Sequence, residues 1–261
     1  MGLLDGKRAL VAGVANKFSL AWGIAQAFDR EGAEIVFTYH RERSHEHLIK
    51  LVSDLQHPAR MVELEAQSDA SMAAMAEAVA EGTDRLDIVV HAFAHARPED
   101  LEVGFRDTSR DGWALAQDVS AYSLVALTHA LLPLLGAGGD RHGASVMTLS
   151  YLGGDRVLPN YNVMGPAKAA LEAAVRYLAS DLGRENIRVN TLSTGPVKTL
   201  RASGVKGFGQ MRHQLEERSP LGRNITSGDV GNAAVFLASD WAANVTGQVL
   251  FVDAGYHIMG I

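Results

Sequence analysis

The fold of this 261-residue chain follows from residues 8–23, which read RALVAGVANKFSLAWG. The apolar run 8–13 ends at Gly13, as a strand buried on both faces of a parallel sheet does. A turn of small residues leads from it into a helix, whose free N–H groups and dipole favour a phosphate. The usual G-x-G-x-x-G spacing is absent, but Gly13 can adopt a positive φ, Ser19 can offer a hydroxyl to a pyrophosphate, and Gly23 can let the helix approach the sheet. The alternative, a turn that only joins a strand to a helix, stays open.

The same alternation of strand and helix continues along the chain, without a composition break or an internal repeat. Because this alternation requires right-handed crossovers, it predicts an α/β fold: a single Rossmann-type domain over residues 1–261, with a doubly wound parallel sheet of about seven strands and helices on both faces. The predicted strands are 8–13, 34–39, 59–64, 86–91, 144–149, 187–192 and 249–252, and the predicted helices are 20–31, 43–55, 71–80, 110–135, 162–182 and 227–237.

Glycine and proline break the pattern after the sixth predicted strand, which indicates a mobile loop around residues 195–219. Ligands of open α/β sheets bind beyond the carboxyl ends of the strands, and this loop begins there.

Composition and charge exclude several classes of function. The chain has 24 Lys and Arg residues against 30 Asp and Glu residues, a formal charge of −6, which argues against nucleic acid or an anionic membrane as a partner. No run approaches the length of a membrane span, and the absence of cysteine and of a secretory signal pattern predicts a cytoplasmic location. His91 and His95 fall at a strand end, where their spacing does not converge on a metal, so no metal site is expected.

The end of the second predicted strand bears on the choice of nucleotide. Dinucleotide enzymes that use the unphosphorylated cofactor often place an acid there to bind the ribose 2′-hydroxyl. Here the chain reads His40-Arg41-Glu42-Arg43-Ser44, whose basic and hydroxyl groups can bind a 2′-phosphate. The sequence therefore favours NADPH over NADH, although a solvated helix start that touches no ligand is the open alternative.

Tyr161 and Lys168 form the candidate catalytic pair. On a helix, a spacing of seven is nearly two turns, so the two side chains would point to almost the same face. A neutral tyrosine can donate a hydrogen bond to an oxygen that gains charge, as in an enolate. An interfacial aromatic beside a surface lysine is the structural alternative. Ketone and alcohol reductases of this fold would use a Tyr-x-x-x-Lys spacing, but Met164 stands four residues before Lys168.

Taken together, these motifs resemble the enoyl-acyl carrier protein reductases, the divergent branch of the short-chain dehydrogenase/reductase family that acts in bacterial fatty-acid synthesis. The resemblance spans essentially the whole chain. Its marks are the turn from Gly13 to Gly23, His91-Ala92-Phe93-Ala94, Ser120-Ala121-Tyr122-Ser123, Tyr151-Leu152-Gly153-Gly154, Tyr161 with Lys168, residues 195–200, and Val252-Asp253-Ala254-Gly255.

The resemblance implies hydride delivery from NADH or NADPH to the β-carbon of a trans-2-enoyl thioester on acyl carrier protein, by an enzyme that is usually a homotetramer. It implies that Tyr161 binds the enolate oxygen, that Lys168 holds the cofactor ribose, and that Tyr151 lines the acyl pocket. A non-catalytic NADP(H)-binding redox sensor is the other function considered. Further cofactor contacts are expected at Gly13, Ser19, Leu20, His40, Arg41, Ser44, Glu65, Ala66, His91, Ala92, Gly195, Pro196, Val197 and Thr199, and substrate contacts at Phe93, Ala94 and Ala202, the last in a flexible segment 202–211.

Pro166 lies between the tyrosine and the lysine of the candidate pair. A proline has no N–H group and kinks a helix unless it falls in the first turn. The position of Lys168 therefore depends on where the helix begins.

Overall fold

The computed structural model describes residues 2–136, 143–197, 213 and 215–260. A single seven-stranded sheet with the order β3-β2-β1-β4-β5-β6-β7 forms its centre, and every neighbouring pair is parallel. This confirms the predicted doubly wound parallel sheet. The strands are β1 Arg8–Ala12, β2 Glu34–Tyr39, β3 Ala59–Glu63, β4 Ile88–His91, β5 Ser145–Tyr151, β6 Arg188–Thr194 and β7 Val249–Val252.

Helices cover both faces of the sheet. They are α1 Leu20–Arg30, α2 Glu42–Val52, α3 Asp69–Ala80, α4 Pro98–Glu102, α5 Arg110–Gln117, α6 Ser123–Leu135, α7 Met164–Leu182 and α8 Ser227–Ala238. One core cluster contains buried residues of α1 and α8, such as Phe28 and Leu237, and the other contains buried residues of α3, α6 and α7, such as Met75, Leu127 and Leu171. The sheet separates these two layers.

The helix predicted over 110–135 has a π-helical turn, Asp118–Tyr122, between α5 and α6. A π-turn inserts one extra residue per hydrogen-bonded turn, and such turns are frequent at functional sites. Here the Ser120 hydroxyl accepts a hydrogen bond from the His95 backbone N–H, at 3.0 Å. The turn therefore holds the segment that follows β4.

The continuous helical stretch Arg110–Leu135 is long and apolar enough to cross a membrane by length and composition alone. However, 56% of its most apolar window is buried inside the protein, as in a core helix of a globular fold. Composition alone does not separate these two kinds of helix.

The role expected of Gly23 is corrected by the structure. A Cβ atom on Gly23 would lie 2.6 Å from the Cβ of Ser227 at the start of α8. The Gly23 carbonyl in turn faces Gly231 of α8, where an added Cβ would lie 2.6 Å from that oxygen. Gly23 thus permits a close contact between two helices, not between α1 and the sheet, because α1 shares its face of the sheet with α8.

Candidate active site

Tyr161 lies in the turn immediately before α7 and not on the helix, contrary to the prediction. Its neighbours Asn160 and Asn162 both have positive φ, 61° and 36°, a conformation that asparagine tolerates and that stops a helix from extending backwards. The Asn162 side chain donates a hydrogen bond to the Leu101 carbonyl, at 2.9 Å, and so ties this turn to α4. The helix predicted from residue 162 therefore begins at Met164.

The ring of Tyr161 packs directly against the backbone of Gly153. A Cβ atom on Gly153, directly after β5, would lie 2.2 Å from Cδ1 of Tyr161. The ring also meets Tyr151 edge-on, with 5.2 Å between the ring centroids and 70° between the planes. The end of β5 and the turn before α7 thus bring the two phenols together.

Lys168 is buried, with 5% of its surface exposed, and its Nζ donates a hydrogen bond to the Leu149 carbonyl of β5 at 2.7 Å. Burial of the ammonium lowers the pKa of Lys168 to about 8. Pro166 is the third residue of α7 and falls in the first turn, where the missing N–H costs no helical hydrogen bond. The helix therefore reaches Lys168 without a proline kink.

Burial lowers the pKa of Lys168 but raises the pKa of the two tyrosine side chains. It raises the pKa of Tyr151 to about 12, with a smaller contribution from Tyr256, and it also raises the pKa of Tyr161 well above its ordinary value. Both side chains are neutral near pH 7 and can donate a hydrogen bond. The pair beside Lys168 is therefore suited to stabilise an oxygen that becomes negative.

A pocket opens beside the two phenols at the carboxyl ends of β5 and β6. In open α/β sheets this is the edge where ligands bind. The pocket is lined by Tyr151, Leu152, Leu158, Ser193, Thr194, Gly195, Pro196, Leu215, Asp253 and Tyr256. Sequence reasoning placed Tyr151, Gly195 and Pro196 at the site, and it missed Leu158, Leu215 and Tyr256, which no motif distinguishes from core or surface residues.

The turn after β1 has the geometry of a phosphate cradle. Gly13 has a φ of +99°, and a Cβ atom there would lie 2.5 Å from the Ala92 carbonyl, so the chain after β4 passes against this turn. Ser19 is the N-cap of α1, yet its hydroxyl donates to the Asn16 carbonyl, at 2.7 Å, and does not cap the helix. The N-terminus of α1 at Leu20 therefore carries N–H groups that no side-chain cap occupies, an arrangement that fits a pyrophosphate.

The residues after β2 and β3 lie at the same edge of the sheet. The His40 Nε2 atom contacts a carboxylate oxygen of Glu65, which links the ends of these two strands, and Ala66 follows directly. Arg41 is the exposed N-cap of α2, which begins at Glu42 and not at Arg43 as predicted. The Ser44 hydroxyl exchanges hydrogen bonds with the Arg41 backbone, accepting from its N–H at 2.9 Å and donating to its carbonyl at 2.6 Å.

His91 is fully buried at the end of β4. Its Nδ1 lies 2.8 Å from the Thr148 hydroxyl and its Nε2 lies 2.7 Å from the Ser123 hydroxyl. Burial lowers its pKa to about 3, so the ring is neutral. With no exposed surface, the ring joins β4, β5 and α6, and a direct contact with cofactor stays a prediction.

The neighbours of His91 face different parts of the molecule. The Phe93 ring meets the His91 ring edge-on, with 5.1 Å between the centroids, whereas Ala94 packs in the small cluster that contains Tyr161. Ala94 and Tyr161 thus pack against the same group of buried residues.

Part of the predicted site lies outside the described residues. Thr199, Ala202 and the segment 202–211 belong to this part. Gly195 is described: its N–H donates to the Val252 carbonyl at 2.8 Å, and a Cβ there would lie 3.2 Å from the Cα of Asp253. Pro196 follows Gly195 in the lining of the pocket, whereas Val197 does not line it.

A family model described as Enoyl-(Acyl carrier protein) reductase matches residues 13–257 of the chain. The chain is 49% identical over 261 residues to the NADH enoyl-acyl-carrier-protein reductase FabI of Nostoc sp., covering 99% of both proteins. It is 45% identical over 255 residues to the NADPH enoyl-acyl-carrier-protein reductase FabI of Staphylococcus aureus, covering 97% of this chain and 98% of that protein.

The likeness extends to solved structures. The crystal structure of the Bacillus cereus enoyl-acyl carrier protein reductase with NADP+ and indole naphthyridinone is similar with a TM-score of 0.96, at 45% identity over 100% of both chains. The family match covers the phosphate turn, the two tyrosines, the buried lysine and the pocket beside them. This chain therefore belongs to the enoyl-acyl carrier protein reductase family.

Proposed function

We propose that this protein reduces the trans-2 double bond of enoyl thioesters carried on acyl carrier protein, in fatty-acid biosynthesis. One observation carries the proposal: Tyr161 and Tyr151 meet above Gly153 at the edge of a partly apolar pocket, and the buried Lys168 lies in the first two turns of α7, the helix that follows Tyr161. Met164 is 6% exposed and cannot serve as a proton donor, which argues against a carbonyl reductase that uses the shorter spacing.

The nucleotide, when bound, supplies the hydride that goes to the β-carbon of the enoyl group. The cradle of Gly13, Ser19 and Leu20 fits its pyrophosphate, and we infer that Lys168 holds its ribose hydroxyls. The Tyr161 hydroxyl donates a hydrogen bond to the thioester oxygen as it gains enolate charge, and such a donor contributes about 3–4 kcal/mol to transition-state stabilisation. Tyr151 packs against the Tyr161 ring and lines the acyl side of the pocket.

Replacing Tyr161 by phenylalanine tests this role. We expect Tyr161→Phe to lower kcat on the order of a hundredfold or more, because one oxyanion donor is lost. The rate is measured as loss of reduced-nicotinamide absorbance with a crotonyl thioester, and nucleotide affinity is measured by fluorescence titration. Tyr177→Phe is the matched control, since Tyr177 is 80% exposed on α7. Unchanged turnover in Tyr161→Phe would remove Tyr161 from this role, and no turnover by the unaltered protein would favour a nucleotide-binding sensor.

Within this function, we propose that NADPH is the preferred nucleotide. Arg41 is exposed at the N-terminus of α2, where its guanidinium can pair with a 2′-phosphate, and Ser44 fixes the backbone of Arg41. The His40 Nε2 atom contacts the Glu65 carboxylate, so this acid already has a partner within the protein.

The preference is tested with Arg41→Ala, using Lys50→Ala as the matched control, because Lys50 is an exposed cation in the last turn of α2, at the opposite end from Arg41. We expect Arg41→Ala to weaken NADPH binding about tenfold, roughly 1.4 kcal/mol, with little effect on NADH. Equal weakening of both nucleotides would contradict a contact between Arg41 and the phosphate.

We also propose a homotetramer and a cytoplasmic location. Trp113 on α5 and Tyr122 in the π-turn are large aromatic side chains with 42% and 53% of their surface exposed, which supports an association surface on this part of the molecule. Light scattering coupled to gel filtration measures the assembly, and a monomer at micromolar concentration would contradict it.

A further inference from the structure

Glu172 is a carboxylate near the catalytic pair that the mechanism above does not use. It follows Lys168 by four residues on α7, so the two side chains lie on the same face of the helix, one turn apart. Its Oε1 accepts a hydrogen bond from the Ser150 hydroxyl. Leu149, the residue before Ser150, accepts the hydrogen bond from Lys168. Adjacent residues of β5 thus hold the lysine and the carboxylate.

Glu172 also borders a second cavity, distinct from the acyl pocket. The cavity is lined by Asp155, Arg156, Glu172, Val249, Phe251 and His257. Asp155 and Arg156 are exposed at its rim, while Glu172 is half-buried at its inner side. Gly154 lets the chain pass close to the carboxylate, since a Cβ there would lie 3.2 Å from Glu172 Oε1. Glu172 therefore stands between solvent and the buried Lys168.

The surroundings of Glu172 raise the pKa of its carboxyl group. Burial raises its pKa, and Asp155 adds to this, whereas the Ser150 hydroxyl, Arg176 and Lys168 act in the opposite direction. Across the cavity, His257 pairs with Asp253 at 3.0 Å and stacks on Phe251 at 3.9 Å. The titratable residues that line the cavity are Asp155 and Arg156 after β5, Glu172 on α7 and His257 after β7.

The proposed reduction requires one proton per turnover. A hydride forms the new bond at the β-carbon, and a proton forms the new bond at the α-carbon, so one proton leaves the site with the product. Lys168 is buried, with 5% of its surface exposed, so a proton that Lys168 gives up is replaced through the protein groups around it.

We propose that Glu172 is the proton-uptake residue of the site. This inference rests on the proposed reductase function. Once the Tyr161 hydroxyl has given its proton to the enolate, the Lys168 ammonium returns a proton to the phenolate oxygen. The neutral amine of Lys168 then takes a proton from the Glu172 carboxyl group, and water in the second cavity protonates the carboxylate again. Only O–H and N–H bonds form and break in this transfer, and no electrons are gained or lost. Ser150 acts as a positioning residue, because its hydroxyl holds the carboxylate toward β5.

The test compares Glu172→Gln with Asp181→Asn, an equivalent loss of charge at the exposed far end of α7. Glutamine keeps the size of the side chain and the hydrogen bond from Ser150, but it cannot carry a proton. We expect Glu172→Gln to lower kcat about tenfold or more and to increase the solvent deuterium isotope effect on kcat, with unchanged affinity for NADPH and NADH. Asp181→Asn should leave all of these quantities unchanged.

Two outcomes would overturn the proposal. One is an unchanged kcat and an unchanged isotope effect in Glu172→Gln. The other is a loss of rate with an equal loss of nucleotide affinity, which would indicate a structural role for Glu172. If Glu172→Gln does not fold, Glu172→Asp replaces it, and a low rate with a normal isotope effect in that variant counts against the proposal. Failure of the reductase function itself is recognised separately, because the unaltered protein would then not oxidise NADPH with a crotonyl thioester.

Discussion

At the scale of single residues, burial sets the pH range in which Lys168 is charged. Its pKa is lowered from 10.5 to about 8, so the ammonium loses its proton as the pH rises through about 8. We predict that kcat/KM for the enoyl thioester falls above pH about 8, because this ratio reports the ionisation of the free enzyme.

Lys168→Arg provides the check, since a guanidinium stays protonated throughout this range. The variant should have a lower kcat/KM, because the planar guanidinium group does not reproduce the geometry of the ammonium group. Its kcat/KM should nevertheless stay constant between pH 7 and about 10. A profile of the unaltered protein that stays flat to pH 10 would contradict the assignment.

At the scale of elements, the contact between α1 and α8 depends on Gly23. Alanine would favour the helix by about 1 kcal/mol through propensity. Its Cβ, however, would lie 2.6 Å from Ser227 Cβ, and overpacking of this kind costs about 1–3 kcal/mol. We predict that Gly23→Ala lowers the free energy of unfolding by up to about 2 kcal/mol, measured by urea denaturation.

Gly183, at the C-terminal end of α7, is the matched control for Gly23. It has a φ of −61°, and an added Cβ would meet nothing within 4 Å. Gly183→Ala should be neutral or slightly stabilising. A Gly23→Ala variant as stable as this control would mean that the two helices separate without cost.

At the scale of the whole molecule, the sheet order brings distant segments to one edge. β1 lies between β2 and β4, so the chain winds outward in both directions from this point, and the carboxyl ends of all the strands share one edge. The phosphate turn after β1, the His40–Glu65 contact after β2 and β3, and the pocket after β5 and β6 therefore line one edge of the molecule. A dinucleotide laid along that edge would reach from Arg41 to Tyr161.

The sequence by itself determined the fold class, the order of the seven strands and of the longer helices between them, and the identity of the main candidate pair, but not α4 or the division of the helix predicted over 110–135. Alternating apolar runs and helical spacings are local patterns, and the turn chemistry of Gly13 and the Tyr161–Lys168 spacing are local as well. Such features can be identified because burial on both faces of a parallel sheet leaves a continuous apolar run in the chain.

Only the tertiary structure decided the rest. The position of Tyr161 before α7 depends on two asparagines with positive φ and on a glycine near β5, and the partner of Gly23 proved to be a helix over 200 residues away in the chain. The roles of Ser150 and Glu172 depend on a contact between β5 and α7 that no spacing within either element encodes. Local sequence specifies which conformations a segment prefers, but burial, pKa values and partners arise only when distant segments pack and exclude water from the same groups.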